Sequence, residues 1–249
     1  MKPEEYDVMA AAEDRLWWYR GLRRLVISNL ERFLPESRNL LVADVGCGTG
    51  GTYATIRSRF PGVRYVGIDI EPRALEHCRA RDLRSVVQGS ADQLPLRSGS
   101  VDALICLDVL YYSSIDRSAA LRQFFAALKP GGVLLLNLPA FEALRGRHDL
   151  AVGIGRRFRL REVRTLCEEA GFDTLLAAYW NAALFLPLMI WRHLSRGGRG
   201  RAIADSDTAR SPWSLNGVLS TLILAEVSLT RWVSYPAGSS VFAVAKKVK

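Results

Sequence analysis

From Leu40 onward the chain alternates short apolar runs with longer amphipathic ones, and this alternation restricts its fold more than any other feature. Leu40–Val45, Val63–Ile70, Ser85–Gln88, Val101–Leu107 and Val133–Leu138 read as strands, while Gly50–Phe60, Pro72–Arg81 and Ser118–Leu128 read as helices. Strands that alternate with helices need crossover connections, which predicts an α/β fold with a parallel sheet covered on both faces. The crossovers are expected to be right-handed. Upstream, Asp14–Phe33 reads as a helix. After the fifth strand, Pro139–Arg157 reads as irregular and rich in Arg and Gly. A helix follows at Leu160–Ala170, stopped by Gly171, and Phe172–Trp180 and Ser239–Lys246 read as a sixth and a seventh strand.

Roughly sixty residues separate those last two strands, where a hairpin needs only a few. Asn181–Leu194 and Trp213–Trp232 read as apolar helices, joined by a Gly/Arg/Ser/Asp linker over Ser195–Ser211. An insertion with its own apolar faces beside the carboxyl edge of the sheet is expected to act as a lid. The expected organisation is one domain over 1–249. It comprises an N-terminal helical cap at 1–36, a core at 40–180 and 239–247, and a helical insertion at 181–236.

Composition excludes several classes. With 49% hydrophobic and 24% charged residues the chain is neither fibrous nor disordered. Cys47, Cys78, Cys106 and Cys167 lie about thirty or more residues apart, without C-x-x-C or a nearby His pair, which argues against a zinc site and a disulfide framework. No metal is expected. The same cysteine usage makes a reducing cytoplasm the expected setting, and Met1–Asp14 is acidic and polar rather than signal-like. Neither Ala182–Ile190 nor Leu215–Val233 qualifies as a membrane span, the first being short and the second carrying Glu226 and Arg231. The net charge of +9 has no nucleic-acid motif beside it, so nucleic acid is not an expected partner.

The densest chemical signal is Val42-Ala43-Asp44-Val45-Gly46-Cys47-Gly48-Thr49-Gly50-Gly51. A strand ends at Val45 and a helix begins near Gly50, and the glycines between let backbone approach a ligand at the carboxyl edge of the sheet. Gly46, Gly48 and Gly51 satisfy G-x-G-x-x-G, and Asp69 follows at the spacing of a ribose-binding acid. That spacing alone suits an NAD enzyme and a methyltransferase equally. Asp44 distinguishes them, since an acid two residues before the first glycine can meet the ammonium of a bound amino acid and serves no purpose beside a dinucleotide. Asp69 can accept both ribose hydroxyls.

At these residues the chain resembles the class I methyltransferases. Asp44-x-Gly46-x-Gly48-x-Gly50 is similar to their first motif and Gly67-Ile68-Asp69-Ile70 to their acidic second-strand motif. Ala91-Asp92-Gln93-Leu94-Pro95-Leu96 is similar to their third-strand loop, and Leu128-Lys129-Pro130-Gly131-Gly132 to their turn before strand five. The resemblance implies a Rossmann-like seven-stranded sheet whose last strand is antiparallel, and S-adenosylmethionine as cofactor, leaving S-adenosylhomocysteine. It implies cofactor contacts from Asp44, Gly46, Cys47, Gly48, Gly50, Asp69 and Leu107. Ile70 would pack on the adenine, with Ala91 and Asp92 near its edge. The family often has an acid where this chain has Ser90.

A narrower similarity is to a largely bacterial branch with an aromatic start. It is carried by Trp17-Trp18-Tyr19-Arg20-Gly21-Leu22-Arg23-Arg24, by Pro139-Ala140-Phe141 with His148-Asp149, by Arg156-Arg157-Phe158 and by Tyr235–Ser240. That branch is often seen beside biosynthetic genes. In this reading Trp18 and Arg23 help cover the cofactor, while Trp17, Asp149, Trp180 and Asn181 line the acceptor site. Transfer itself falls to His148, Tyr111 and Tyr112, with His148 holding or deprotonating the acceptor beside Asp149. The expected acceptor is a small apolar molecule methylated on oxygen in natural-product (polyketide-like) biosynthesis. The alternatives are a lipid or polyprenyl-linked acceptor met at a membrane surface, with Arg192, His193, Arg196, Arg199 and Arg201 beside an apolar helix, and a non-catalytic or NAD-binding Rossmann protein.

Overall fold

The computed structural model describes residues 3–34, 39–195, 215–230 and 232–248, without the side chains of 147, 148, 151 and 191–195. Seven strands form one sheet: β1 (Leu41–Val45), β2 (Arg64–Asp69), β3 (Val86–Gln88), β4 (Val101–Leu107), β5 (Leu128–Pro139), β6 (Asp173–Trp180) and β7 (Ser240–Lys246). Their spatial order is β3-β2-β1-β4-β5-β7-β6. The first five run parallel, whereas β7 lies antiparallel to both β5 and β6. This is the Rossmann-like sheet with a reversed last strand that the resemblance implied.

Period-two alternation divides the strands between two cores. Leu134, Leu136 and Leu138 of β5 join Val241, Ala243 and Ala245 of β7 on one face. They pack there against α5 (Arg117–Ala127) and α7 (Leu160–Glu169). Val133, Leu135, Phe242 and Val244 face the other way, toward α2 (Trp17–Phe33), α3 (Gly51–Arg59) and α4 (Pro72–Ala80).

Three segments depart from the sequence expectation. Pro3–Ala12 is a helix, α1, tied to α4 by Asp7, whose carboxylate receives Arg73 Nε at 3.0 Å and His77 Nε2 at 2.7 Å. Pro139–Arg157 is not irregular throughout, since it holds a 3-10 turn at Glu142–Leu144 and a helix, α6 (Arg147–Val152), ended by left-handed Gly153. Helix α8 (Phe185–Ser195) starts later than Asn181. Asn181 takes a left-handed φ of 57°, and the Glu226 carboxylate accepts the amides of Ala182 and Ala183 at 2.9 and 3.0 Å, which holds the chain out of helix there.

Glu226 comes from α9 (Asn216–Leu229), which lies along α2. Gly21 permits this approach, because a Cβ at that position would meet Ile223 Cγ1 at 2.8 Å. Ile223 is 1% exposed, and its burial contributes about 1.5–3 kcal/mol to holding the insertion on the cap. The proposed linker between α8 and α9, together with Trp213, lies outside the described residues apart from Ser195. No helix among the described residues is long and apolar enough to cross a membrane.

Candidate active site

The carboxyl ends of the strands open into a cavity of about 1090 Å³, roofed by α1, the start of α2, α8 and α9. Asp44, Gly46, Cys47, Gly48, Asp69, Ile70, Ala91, Leu107 and Trp18 line it, all expected at the cofactor, and so do Trp17, Tyr111, Tyr112 and Asn181. Two glycines of the loop need their lack of a side chain. Gly46 and Gly48 hold φ of 76° and 52°, and a Cβ on them would run into Val109 and Met9.

Asp69 closes β2 beneath this loop. Its Oδ2 accepts the Gly48 amide at 2.9 Å and its Oδ1 the Glu71 amide at 3.0 Å, with the Tyr6 hydroxyl at 3.5 Å. A carboxylate oxygen has two lone pairs, so Oδ2 retains capacity for a ligand hydroxyl, whereas Oδ1 already takes two donors, of which the distant Tyr6 hydroxyl is the one a ligand can replace. Asp44 is 2% exposed and receives the Tyr65 hydroxyl at 2.5 Å. Burial pushes its carboxyl up to about 7, against the opposing effect of that hydrogen bond. Burial also raises Asp69. A cation placed between them would restore both to carboxylates.

Ile70 is 65% exposed on the cavity wall, an apolar surface left for a flat ring. Glu13, from the turn after α1, is 4% exposed and accepts the Thr49 hydroxyl at the amino end of α3, with Arg81 Nη2 at 3.0 Å from its Oε1. A dinucleotide would put its diphosphate at such a helix end. Here the Glu13–Arg81 pair already fills that end, and Asp44 and Asp69 stand nearby without a cation of their own among the described residues. The loop therefore suits a cationic nucleoside and opposes an anionic one. Among the described residues no group of three or more His, Cys, Asp or Glu side chains could hold a metal ion.

These features fit what the comparisons find. Residues 43–136 match a family model described as "Methyltransferase domain". The chain carries a class I, S-adenosylmethionine-dependent methyltransferase domain. Over 121 residues it is 33% identical to a malonyl-[acyl-carrier protein] O-methyltransferase of Dechloromonas aromatica, covering 47% of this chain and 43% of that one. Over 129 residues it is 31% identical to a trans-aconitate 2-methyltransferase of Deinococcus radiodurans, covering 51% and 48%. The matched part of the chain thus spans under half the length of these curated relatives. A Haemonchus contortus phosphoethanolamine N-methyltransferase, solved with phosphomonomethylethanolamine and S-adenosylhomocysteine, superposes with a TM-score of 0.59 at 16% identity. That alignment covers 90% of this chain and 52% of that one, and shows a shared fold.

Five expected site residues do not line the cavity. Gly50 caps α3 from below with φ 86°, its amide on the Cys47 carbonyl at 3.1 Å. Arg23 is held by the Glu13 carbonyl and by Asp14, so Glu13 rather than Arg23 faces the cofactor side. Asp92 accepts from the Ser90 hydroxyl and, at 3.3 Å, from the Asp116 amide. It is Ser90 that borders the cavity. Trp180 is fully buried, its indole N–H donating to Asn137 Oδ1 at 2.7 Å, which makes it core rather than lining. Asp149 is spent on a buried ion pair, with Arg157 Nη2 at 2.6 Å and Nε at 3.3 Å, and on the Gly146 amide at 2.6 Å. His148 lies on α6 beside Asp149, and its side chain is outside the described residues.

Other cavity residues had no assigned role in the sequence reading. Tyr6, Met9 and Glu13 come from and just after α1, whose sequence has no apolar stripe to announce it. Arg157, Ser239 and Ser240 come from the ends of segments flanking β5, β6 and β7. Asp108, directly after β4, is the fifth acid in the wall and the one with a legible signal, being a carboxylate at a strand's carboxyl end.

Proposed function

We propose that this protein transfers a methyl group from S-adenosylmethionine to an oxygen of a small, largely apolar acceptor. The observation that carries this reading is the division of this cavity. Asp44, Asp69 and the glycine loop form one end, while Leu184, Pro187, Leu188, Leu219, Val152 and Ile154 wall the other. The bound cofactor supplies a methyl group on a positively charged sulfur. The residues of this chain bind and orient: Asp69 takes the ribose hydroxyls, Asp44 the ammonium, and the apolar wall excludes water from the acceptor. Tyr111 and Tyr112, with hydroxyls 3.3 Å apart, stand between the two ends. Burial raises both phenols, so they donate hydrogen bonds rather than take protons. An apolar acceptor of this kind suits natural-product tailoring, polyketide-like molecules included.

The test is incubation with labelled S-adenosylmethionine and a panel of apolar phenols, enols and carboxylic acids, read by mass spectrometry. Methyl ethers or esters of one class are expected. Transfer only to nitrogen or carbon acceptors would refute the oxygen assignment, and binding of NAD without S-adenosylhomocysteine would refute the cofactor.

A second reading, an amphiphilic acceptor met at a membrane surface, draws on a specific feature. The two helices that wall the apolar end also turn large apolar side chains outward, with Leu186 at 59%, Ile190 at 57% and Val218 at 68% exposure. Co-sedimentation with anionic phospholipid vesicles, lost in a Leu186→Glu/Val218→Glu variant, is the expected result under that reading.

A further inference from the structure

Asp108 combines three features that no binding role already described accounts for. Its backbone is left-handed, φ 57°, a conformation that side-chain-bearing residues seldom hold and that gathers at functional sites. It is anchored twice to Asn137 of β5: its amide donates to the Asn137 carbonyl at 2.9 Å, and its Oδ2 accepts Asn137 Nδ2 at 2.8 Å. Asn137 is itself fully buried, and its Oδ1 accepts the Trp180 indole N–H at 2.7 Å. An indole nitrogen can only donate, so the Asn137 amide must present its oxygen to Trp180 and its NH2 to Asp108. The relay therefore favours the carboxylate form of Asp108 at one oxygen. Among the described residues the other oxygen, Oδ1, has no hydrogen-bond partner, and the residue lines the cavity.

The charges around Asp108 place it at the acceptor end. Asp44 couples to Asp69 and Glu13, on the cofactor side. Asp108 instead faces Arg157, whose guanidinium is occupied by Asp149 and the Ala140 carbonyl. Tyr111 faces it as well, while Tyr112 and Cys106 stand between it and the cofactor-side acids, Tyr112 also facing Asp69 and Cys106 also facing Asp44. Asn137 lies near the end of β5 and Asn181 directly after β6, and Arg157, from the segment between α6 and α7, reaches the end of β5 through the Ala140 carbonyl, away from the glycine loop.

We propose that Asp108 is the proton acceptor of the transfer: its free carboxylate oxygen holds the acceptor's hydroxyl and takes the proton. This rests on the oxygen-methylation reading and adds its base. The acceptor's O–H bond breaks toward Asp108 as its oxygen forms the O–CH3 bond. The C–S bonding pair stays on sulfur, which becomes a neutral thioether, and Asp108 ends as a neutral acid. Burial pushes this carboxyl up to about 7 against the pull of Asn137 and Arg157, near where a general base works best at neutral pH. The acceptor class that follows is a hydroxyl compound needing deprotonation, a phenol or weakly acidic enol, in preference to a carboxylic acid that arrives ionised.

The test compares wild type with Asp108→Asn, a substitution of nearly equal shape that tolerates the left-handed backbone. The acceptors are 4-ethylphenol, protonated at neutral pH, and 4-nitrophenol, which ionises without help. With 4-ethylphenol at pH 7, kcat/KM is expected to fall by about a hundredfold or more, and with 4-nitrophenol by only about threefold. S-adenosylhomocysteine affinity should stay within about threefold, since Asp108 lies outside the cofactor contacts. Carboxyl 13C NMR should show an Asp resonance titrating near neutrality that is missing from the variant, and that moves to lower pH when the sulfonium cofactor binds. Equal losses with both phenols, or none, would overturn the assignment, as would an Asp108 resonance titrating in the ordinary carboxyl range. An acceptor-dependent loss in His148→Ala instead would move the base to α6. If the wild type binds the cofactor but methylates neither phenol, the hydroxyl-acceptor reading itself fails and the assignment falls with it.

Discussion

Asp149→Asn tests whether the residue beside His148 serves the fold or the acceptor. In the structure its carboxylate is 0% exposed and its partner Arg157 guanidinium 5%. Two Asp149–Arg157 hydrogen bonds, at 2.6 and 3.3 Å, hold the start of α6 against the segment leading to α7. An amide keeps the shape and can still accept the Gly146 amide, but it leaves the buried guanidinium without its hydrogen-bonded counter-charge, Asp108 and Glu142 acting only through space. Breaking a buried pair in this way costs about 3–5 kcal/mol. At about 2–4 °C per kcal/mol for a chain of this size, the midpoint of thermal unfolding should drop by roughly 6–20 °C. Urea unfolding followed by the fluorescence of the six tryptophans measures the same loss. Replacing both partners, Asp149→Leu with Arg157→Met, removes the stranded charge and should recover about 1–3 kcal/mol relative to the single variant. S-adenosylhomocysteine affinity should be unchanged in Asp149→Asn wherever the protein is folded. A variant within about 1 kcal/mol of wild type, but with a raised acceptor KM, would refute the argument and return Asp149 to the acceptor.

Asp69→Ala should weaken S-adenosylhomocysteine about tenfold to a hundredfold by calorimetry, because it removes the ribose acceptor and the Gly48 anchor together. Gly48→Ala should abolish cofactor binding while Gly131→Ala, also left-handed at φ 81° but with open space around it, should cost only about 1 kcal/mol of stability. For the cofactor-free protein, stability should fall between about pH 4 and 7. Asp44 and Asp108 bind protons more tightly folded than unfolded, so their contribution is complete below the ordinary carboxyl range and is lost as pH rises through about 7. Denaturation at a series of pH values should show that slope flattened in Asp44→Asn, and an unchanged slope would count against burial as the cause.

The part of the fold that was legible is the part whose residues repeat. Leu134, Leu136 and Leu138 against Val133 and Leu135 declare a two-sided strand without any tertiary knowledge. The meeting of Asp44, Gly48 and Asp69 at the cavity was legible for a related reason: a glycine turn at a strand's end brings residues of fixed short spacing to the same edge of the sheet. What failed to show were partnerships across long separations. Trp180 reads as a pocket aromatic because nothing local reveals Asn137, 43 residues away, satisfying its N–H inside the core. Arg23 and Asp149 read as ligands because an isolated charge in a sequence has no visible counter-charge. Helix α1 was missed because its ten residues lack an apolar face, and its place follows from Asp7 reaching Arg73 and His77.

The same physical lever appears twice in this cavity, and the surroundings decide what each use accomplishes. Burial raises Asp44 and Asp108 alike to about 7, so titration alone would not tell them apart. Asp44 has other acids for neighbours, and a carboxyl among carboxyls gains most from a bound cation, which supplies the charge that burial withheld. Asp108 has a neutral amide donor and a guanidinium already neutralised by Asp149, so its ionisation depends little on new charge nearby and it can return to the acid within one turnover. Cofactor binding should therefore depress Asp44 more than Asp108. Following both carboxyls by NMR as S-adenosylmethionine is added gives the comparison directly: a larger downward shift at Asp44 supports the division into a binding acid and a reacting one. Equal shifts would mean that both carboxyls face the cation and that the cofactor and acceptor ends are not electrically distinct.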